Sequence, residues 1–305
     1  MKWDGFKTVA MVAVALVFIL FAGMLVTYFI NALPAIKRFG IGLYINNIWN
    51  AAEEASKENY GLVSAIWGSV YTSLIAVLIA LPLAISYSIF VVEYAPKRIK
   101  NALIITSDIM AGLPTIIYGI WGAFVLVPFL RDHVMAPLYD HLSFIPFFSY
   151  PPVTGYSYLA GGVLLGIMVT PFASAIIREA YSMVPTAYIE AIYSLGATRY
   201  EATKILLGYI KPAIISGLIL AFGRAIGETV AVSLVIGNTF NITWGLFAPG
   251  YTISSLIANQ FGNAFIYKYM TSTLYAAGLA LFLIGLLINL AGLKLMRGWE
   301  KNVRI

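Results

Sequence analysis

Six apolar runs, each long enough to cross a bilayer, set the solvent in which this chain must fold. They lie at about 9–30, 62–92, 102–130, 158–177, 213–236 and 272–293. About 20 apolar residues in a helix cross roughly 30 Å of hydrocarbon. Lipid cannot hydrogen-bond exposed backbone groups, so spanning segments must satisfy them internally. Only 10% of the residues are charged and 61% are hydrophobic, against about 25% charged in an ordinary soluble domain. An all-α integral membrane protein with six transmembrane helices is expected. Runs two and three exceed the minimum length and contain Pro82 and Pro114, so tilting or kinking is expected there.

Composition removes several chemistries. With no cysteine, the chain has no disulfide framework, thiolate metal site or Cys nucleophile. Its two histidines, His133 and His141, lie outside the apolar runs and do not make a metal site by themselves. A net charge of +6 could suggest nucleic acid, but the basic residues flank apolar segments, where membrane topology explains them more simply. Lys2 and Lys7 precede the 22 residues from Val9 to Ile30, a run longer than the roughly 7–15 residues of a signal-peptide core. It reads as a retained first helix.

The distribution of charge orients the spans. Of the 19 Lys and Arg residues, only Lys37, Arg38, Lys57, Arg131 and Lys268 fall in the outer connections if both termini lie inside, and Arg224 falls within a span. The remainder crowd the inner segments 1–8, 93–101, 178–212 and 294–305, as the positive-inside rule requires. Both termini are therefore expected in the cytoplasm. The outer segments, rich in Pro, Gly, Asn and aromatic residues, read either as an ordered docking surface or as connectors with interfacial anchors.

Residues 178–212 are too polar to cross and too patterned for a linker. Pro185 suits the first helical position, and Gly196 suits the left-handed residue just past a helix end. Val184, Tyr188, Ala191, Ile192 and Leu195 form an apolar stripe between them. Thr198 and Glu201 form a capping-box pattern for a second helix. A helix on the membrane surface and a helix presented to a soluble partner both fit this pattern. The combination Glu190-Ala191, Gly196 and Ile205-Leu206-Leu207 resembles the EAA loop of ABC importer permeases. That resemblance implies a coupling helix at about 185–196, with Glu190, Ala191, Ile192, Leu195 and Gly196 meeting an ATPase subunit. Two departures are Ile192 in place of the usual Ala and Gly208 in place of the usual Pro. The chain has no G-x-x-x-x-G-K-[ST] motif, so it holds no P-loop of its own.

Three ionisable residues, Asp108, Arg224 and Glu228, fall within the expected spans. Buried charge in lipid is costly, so such residues face the protein interior or a water-filled path. Arg224 and Glu228, one helical turn apart, are expected to pair, either as a structural strut or as part of a solute pathway. Gly217, Ala221, Gly227 and Ala231 are expected on the same face, where small residues admit close packing or leave room for a solute. A guanidinium suits a tetrahedral oxyanion, which makes Arg224 the first choice for substrate contact. Asp108 could accept from a protonated oxyanion, balance Arg224 or cap a local network. Pro114 is expected to break or kink span three, with Thr115 bonding the freed carbonyls.

The stretch Phe222-Gly223-Arg224-Ala225-Ile226-Gly227-Glu228-Thr229, together with Leu113-Pro114-Thr115-Ile116-Ile117-Tyr118-Gly119-Ile120-Trp121-Gly122, resembles phosphate ABC permeases of the PstC type, with Asp108 where relatives often have Glu. The resemblance runs over nearly the whole chain. It implies a type I, MetI-like importer permease fold. Residues 1–60 would supply a first helix and outer loop, and residues 61–305 the permease core. It further implies phosphate as cargo, a substrate path through Arg224, Glu228, Asp108 and Thr115, a PstA-like partner permease, a PstB-like ATPase dimer and a PstS-like phosphate-binding protein. ATP and magnesium would be used by the ATPase, and no cofactor is expected on this chain. Rivals are an importer of sulfate or molybdate, an ion-coupled secondary transporter using Asp108 and Glu228, and a non-transporting scaffold.

Overall fold

The computed structural model describes residues 5–303. Helix α1 is Gly5–Phe39, and α2, Val63–Ile89, ends in a π-helical turn at Phe90–Tyr94. Then come α3, Lys97–Gly112, and α4, which starts as Thr115–Trp121 and continues through π-helical turns at Gly122–Leu126 and Arg131–Met135 as far as Leu142. Helix α5 is Tyr158–Ser182, α6 Thr186–Ser194, α7 Arg199–Tyr209 and α8 Lys211–Ile226. After them lie the one-turn α9, Val230–Ser233, then α10, Ile253–Gln260, and α11, Met270–Val303.

Among the described residues, five helices are long and apolar enough to cross a membrane: Gly5–Phe39, Val63–Tyr94, Thr115–Leu142, Tyr158–Ser182 and Met270–Lys294. A sixth candidate is the bent pair α7 and α8, which meet at 64° and pass the same test only if taken as one span. Five to six candidate spans agree with the six expected from the sequence, with two corrections. Run three is not a single helix over 102–130: α3 stops at Gly112, and a new helix starts at Thr115 after Leu113 has turned to extended backbone. Proline disfavours helical geometry in the residue before it and removes a backbone donor, which accounts for the break here, although Pro82 is accommodated within α2. Run five is not a helix to 236, because α8 ends at Ile226 and Gly227 caps it.

The packing centre is the pair α2 and α5. Ala76, Ala80 and Ala84 of α2 are fully buried, and a Cβ at Gly162 of α5 would collide with the Ile75 side chain. Small residues let the two backbones approach closely, the main source of helix association where lipid removes the hydrophobic drive. The Ser88 hydroxyl crosses the pair to donate to the Ser174 carbonyl at 3.0 Å. By contrast, the most apolar window of α1 has no buried residue. That helix leans on α11 through ring contacts such as Phe21 with Phe282 and Tyr28 with Tyr275, leaving its other faces to lipid.

The outer segments are stitched into the helices. The chain after α9 turns back at Gly237, whose φ of +93° is the left-handed region glycine favours. Tyr158 then donates to the Asn241 carbonyl, Tyr71 to Trp244 and the Trp67 indole to Thr243. A short antiparallel ribbon pairs Trp49 with Tyr60. Beside it the 3%-exposed Glu58 accepts from the Tyr60 hydroxyl and from the backbone N–H groups of Lys268 and Tyr269. Burial, and then the Glu58 carboxylate, push the Tyr60 phenol well above its ordinary pKa, which keeps it a donor.

Candidate functional site

Two interrupted helices meet at the candidate site. One break separates α3 from α4 at Leu113-Pro114, and the other separates α8 from α9 at Gly227-Glu228-Thr229. Helices α4 and α9 touch so closely that a Cβ at Gly119 would lie 3.0 Å from the Ala231 Cα. Broken helices are tolerated at membrane depth where the irregular backbone lines a cavity or is buried in protein.

Arg224 stands in the last turn of α8, 13 residues beyond Lys211, or roughly 20 Å along the helix at 1.5 Å per residue. It is exposed, and the surface around it is apolar: Leu220, Val230, Ile117 and Trp121 are each about 40–50% exposed. Such a surface is stable in a membrane only if a partner chain or a water path covers the guanidinium.

The expected Arg224–Glu228 pair does not form, because the helix that would align residues four apart has already ended. The Glu228 carboxylate instead accepts from the Ala231 N–H at 3.4 Å and caps α9, while its carbonyl accepts from the buried Ser254 of α10 at 2.7 Å. Asp108 does not reach Arg224 either. It lies 3.6 Å from Arg178, near the cytoplasmic end of α5. Gly217 and Ala221, within one α-helical face of Arg224, are both buried, Gly217 against Ala173 and Ile176 of α5. Thr115 begins α4, half-buried, but it does not bond the freed carbonyls. That part falls to Tyr118, whose hydroxyl donates to the Met110 carbonyl at 2.8 Å across the break. The sequence signal for this was present: Pro114 stands four residues after Met110, and Tyr118 four after Pro114.

The cytoplasmic hairpin follows its expected form closely. Gly196 has φ +81°, and Thr198 with Glu201 makes a complete capping box at the start of α7. Pro185 sits one residue earlier than expected, just before the first residue of α6. The apolar stripe divides in two. Ile192 is 7% exposed and joins a cluster with Val184, Ala202, Leu206 and Ile210, whereas Leu195 is 89% exposed. Glu190, Ala191 and Gly196 face outward with Leu195. Below α2, the Arg199 guanidinium lies 5.0 Å over the Tyr94 ring, an attraction that ties the hairpin to the inner end of α2.

Residues 91–304 match the family described as binding-protein-dependent transport system inner membrane component. Over 302 residues the chain is 68% identical to a probable phosphate transport system permease protein PstC of Methanocaldococcus jannaschii, covering 99% of this chain and 96% of that protein. The chain belongs to this family of PstC-type permeases. It is also 39% identical over 288 residues to the phosphate transport system permease protein PstC of Mesorhizobium japonicum, covering 93% of this chain and 86% of that one. Among solved structures, an inward-facing MetNI methionine ABC transporter matches with a TM-score of 0.59 at 16% identity, over 78% of this chain and 95% of that chain. That likeness concerns the fold alone, which is the MetI-like importer permease. This PstC-type permease is thus a membrane-embedded transporter subunit rather than an enzyme, and it works with other components of a binding-protein-dependent system.

Proposed function

We propose that this chain forms half of the translocation path of an ATP-driven phosphate importer, with Arg224 attracting the anion at mid-membrane. The observation that carries the reading is an exposed guanidinium on an otherwise apolar face, beside two broken helices and unpaired with Glu228. A planar guanidinium with several donors matches a tetrahedral oxyanion, and the named relatives move phosphate. Thr115 lines the approach beside Tyr118. Glu228 and Asp108 act at one remove, Glu228 by capping α9 and Asp108 by holding α3 to α5.

A PstA-like permease would cover the Arg224 face, a PstB-like ATPase dimer would receive Leu195, Glu190, Ala191 and Gly196, and a PstS-like protein would deliver phosphate from outside. ATP and magnesium belong to the ATPase. A hairpin anchored by Ile192 and locked by the capping box is rigid enough to transmit ATP-driven closure into α5 and α8.

The experiment is phosphate uptake by proteoliposomes holding the whole complex, wild type against Arg224→Gln. Uptake is expected to vanish while the complex still assembles. Normal uptake by the variant would refute the role. Stimulation of ATPase activity by sulfate or molybdate, and not by phosphate, would transfer the reading to another oxyanion.

A further inference from the structure

A cavity of about 220 Å³ lies between α3 and the α2–α5 pair, lined among others by Leu83, Leu103, Met110, Ile167 and Pro171. Leu83 stands eleven residues before Tyr94, and Ser174, also on the wall, eight before Ser182. At 1.5 Å per residue the cavity is roughly 12–16 Å inside the ends of two spans, within one leaflet of a core about 30 Å thick. Four wall hydroxyls are committed to backbone carbonyls: Tyr87 donates to Leu103 at 2.6 Å, Thr106 to Ala102 at 2.9 Å, Thr170 to Gly166 at 2.6 Å and Ser174 to Pro171 at 2.9 Å. These groups offer a guest little but carbon, and an apolar cavity takes an apolar guest rather than water. Ser107 is different. It lines the same cavity and is 6% exposed, and its hydroxyl has no hydrogen-bond partner among the described residues.

On α3, Lys100, Leu103, Ser107 and Met110 recur at three- and four-residue spacing and so share one face. Lys100 is half-buried one turn nearer the inner surface, with Lys97 and Arg98 close by in the chain. None of the three is in an ion pair among the described residues. Asp108, the one acid of α3, lies 3.6 Å from Arg178 and does not cancel them. We propose that this face of α3 and the cavity behind it bind an anionic phospholipid of the inner leaflet. The phosphate meets Lys100, an oxygen joining glycerol to chain accepts from Ser107, and the chain fills the cavity. The seven residues from Lys100 to Ser107 cover roughly 10 Å, which a lysine side chain and a glycerol phosphate bridge together. Basic residues between helices at the inner surface attract anionic headgroups, and the lipid oxygen satisfies a buried donor that is costly when left alone. A lipid so placed fastens α3 to the α2–α5 pair just ahead of the break at Leu113-Pro114.

The test uses the complete complex in nanodiscs of phosphatidylcholine, doped with a phosphatidylglycerol that carries a photoreactive diazirine in its chain. Saturable labelling is expected on peptides containing Met110 and Ile167, competed by unlabelled phosphatidylglycerol. A phosphatidylcholine with the same diazirine chain is expected to label them no more than other lipid-facing peptides. Lys100→Gln is expected to raise the half-saturating concentration about fivefold, the effect of one basic residue near an anionic headgroup. Ser107→Ala removes one hydrogen bond and is expected to raise it by a similar factor, about five. Ile167→Phe fills the cavity and is expected to abolish the labelling. Equal labelling by the two photoreactive lipids, or labelling unchanged in Lys100→Gln, would overturn the proposal. Competition by inorganic phosphate would overturn it too, since the anion would then be free phosphate rather than a lipid headgroup. Where Ile167→Phe fails to assemble, the two milder variants decide, and wild-type saturation in both overturns the proposal.

Discussion

Ile192 and Leu195 are less than one helical turn apart, and the structure gives them opposite tasks. Ile192 is 7% exposed against Val184, Ala202, Leu206 and Ile210, while Leu195 is 89% exposed. Truncating a buried Ile to Ala costs about 2–5 kcal/mol, from lost transfer energy and the cavity left behind. The hairpin lies at the edge of the core, where neighbours can relax, so the lower part of that range, about 2–3 kcal/mol, is expected. That corresponds to a roughly 30- to 150-fold larger population of undocked hairpin. Hydrogen exchange in the assembled permease, before the ATPase is added, reads this directly. Amides of α6 and α7 should exchange faster by about that factor in Ile192→Ala. Leu195→Ala should leave exchange unchanged, because an exposed substitution typically shifts stability by no more than about 0.5 kcal/mol. Its effect should appear only on adding the ATPase. Three carbons withdrawn from an interface, at about 0.8 kcal/mol each, weaken association by about 2 kcal/mol. Equal loss of protection in both variants, or none in Ile192→Ala, would refute the division into an anchoring face and a presented face.

Two further predictions concern the frame around the site. Glu58→Ala leaves the buried N–H groups of Lys268 and Tyr269 without their acceptor, and each unpaired group costs about 1–3 kcal/mol. The melting temperature of the detergent-solubilised complex should fall clearly, and less in Glu58→Gln, which keeps a carbonyl oxygen. Gly162→Ala places a methyl group against Ile75, and overpacking of this kind costs about 1–3 kcal/mol. Combining it with Ile75→Ala should recover part of the lost thermal stability; a double variant less stable than either single one would argue against the collision.

Some features were legible from the sequence because they depend on neighbours in the chain. Gly196 at φ +81° and the Thr198–Glu201 capping box follow from local backbone chemistry, and six apolar runs announce six crossings whatever their partners. The Arg224–Glu228 pair was misjudged because spacing of four residues brings side chains together only while the helix continues. Gly227 ends it, and a run of hydropathy carries no mark of a terminus. Of the three tasks open to Asp108 the structure favours the local network, and its partner Arg178 comes from α5, a contact at a sequence distance that periodicity does not sense. Which side of the hairpin stripe is buried was equally hidden, since Ile192 and Leu195 have similar hydropathy and only the docking of α6 on α7 separates them.

The two helix breaks explain why these failures cluster at one place. Each interrupts a hydrogen-bond ladder at membrane depth and must be made good by a group from elsewhere. At one break Tyr118 takes up the Met110 carbonyl. At the other, the Glu228 carboxylate takes up the Ala231 N–H and Ser254 takes up the Glu228 carbonyl. Repair therefore consumes polar groups that a reading of the sequence would assign to cargo, and among the described residues the exposed guanidinium of Arg224 has no carboxylate partner. An exposed guanidinium on an apolar face needs a partner chain or a water path to cover it, which is the physical reason for proposing that the anion meets Arg224 rather than the acids around it.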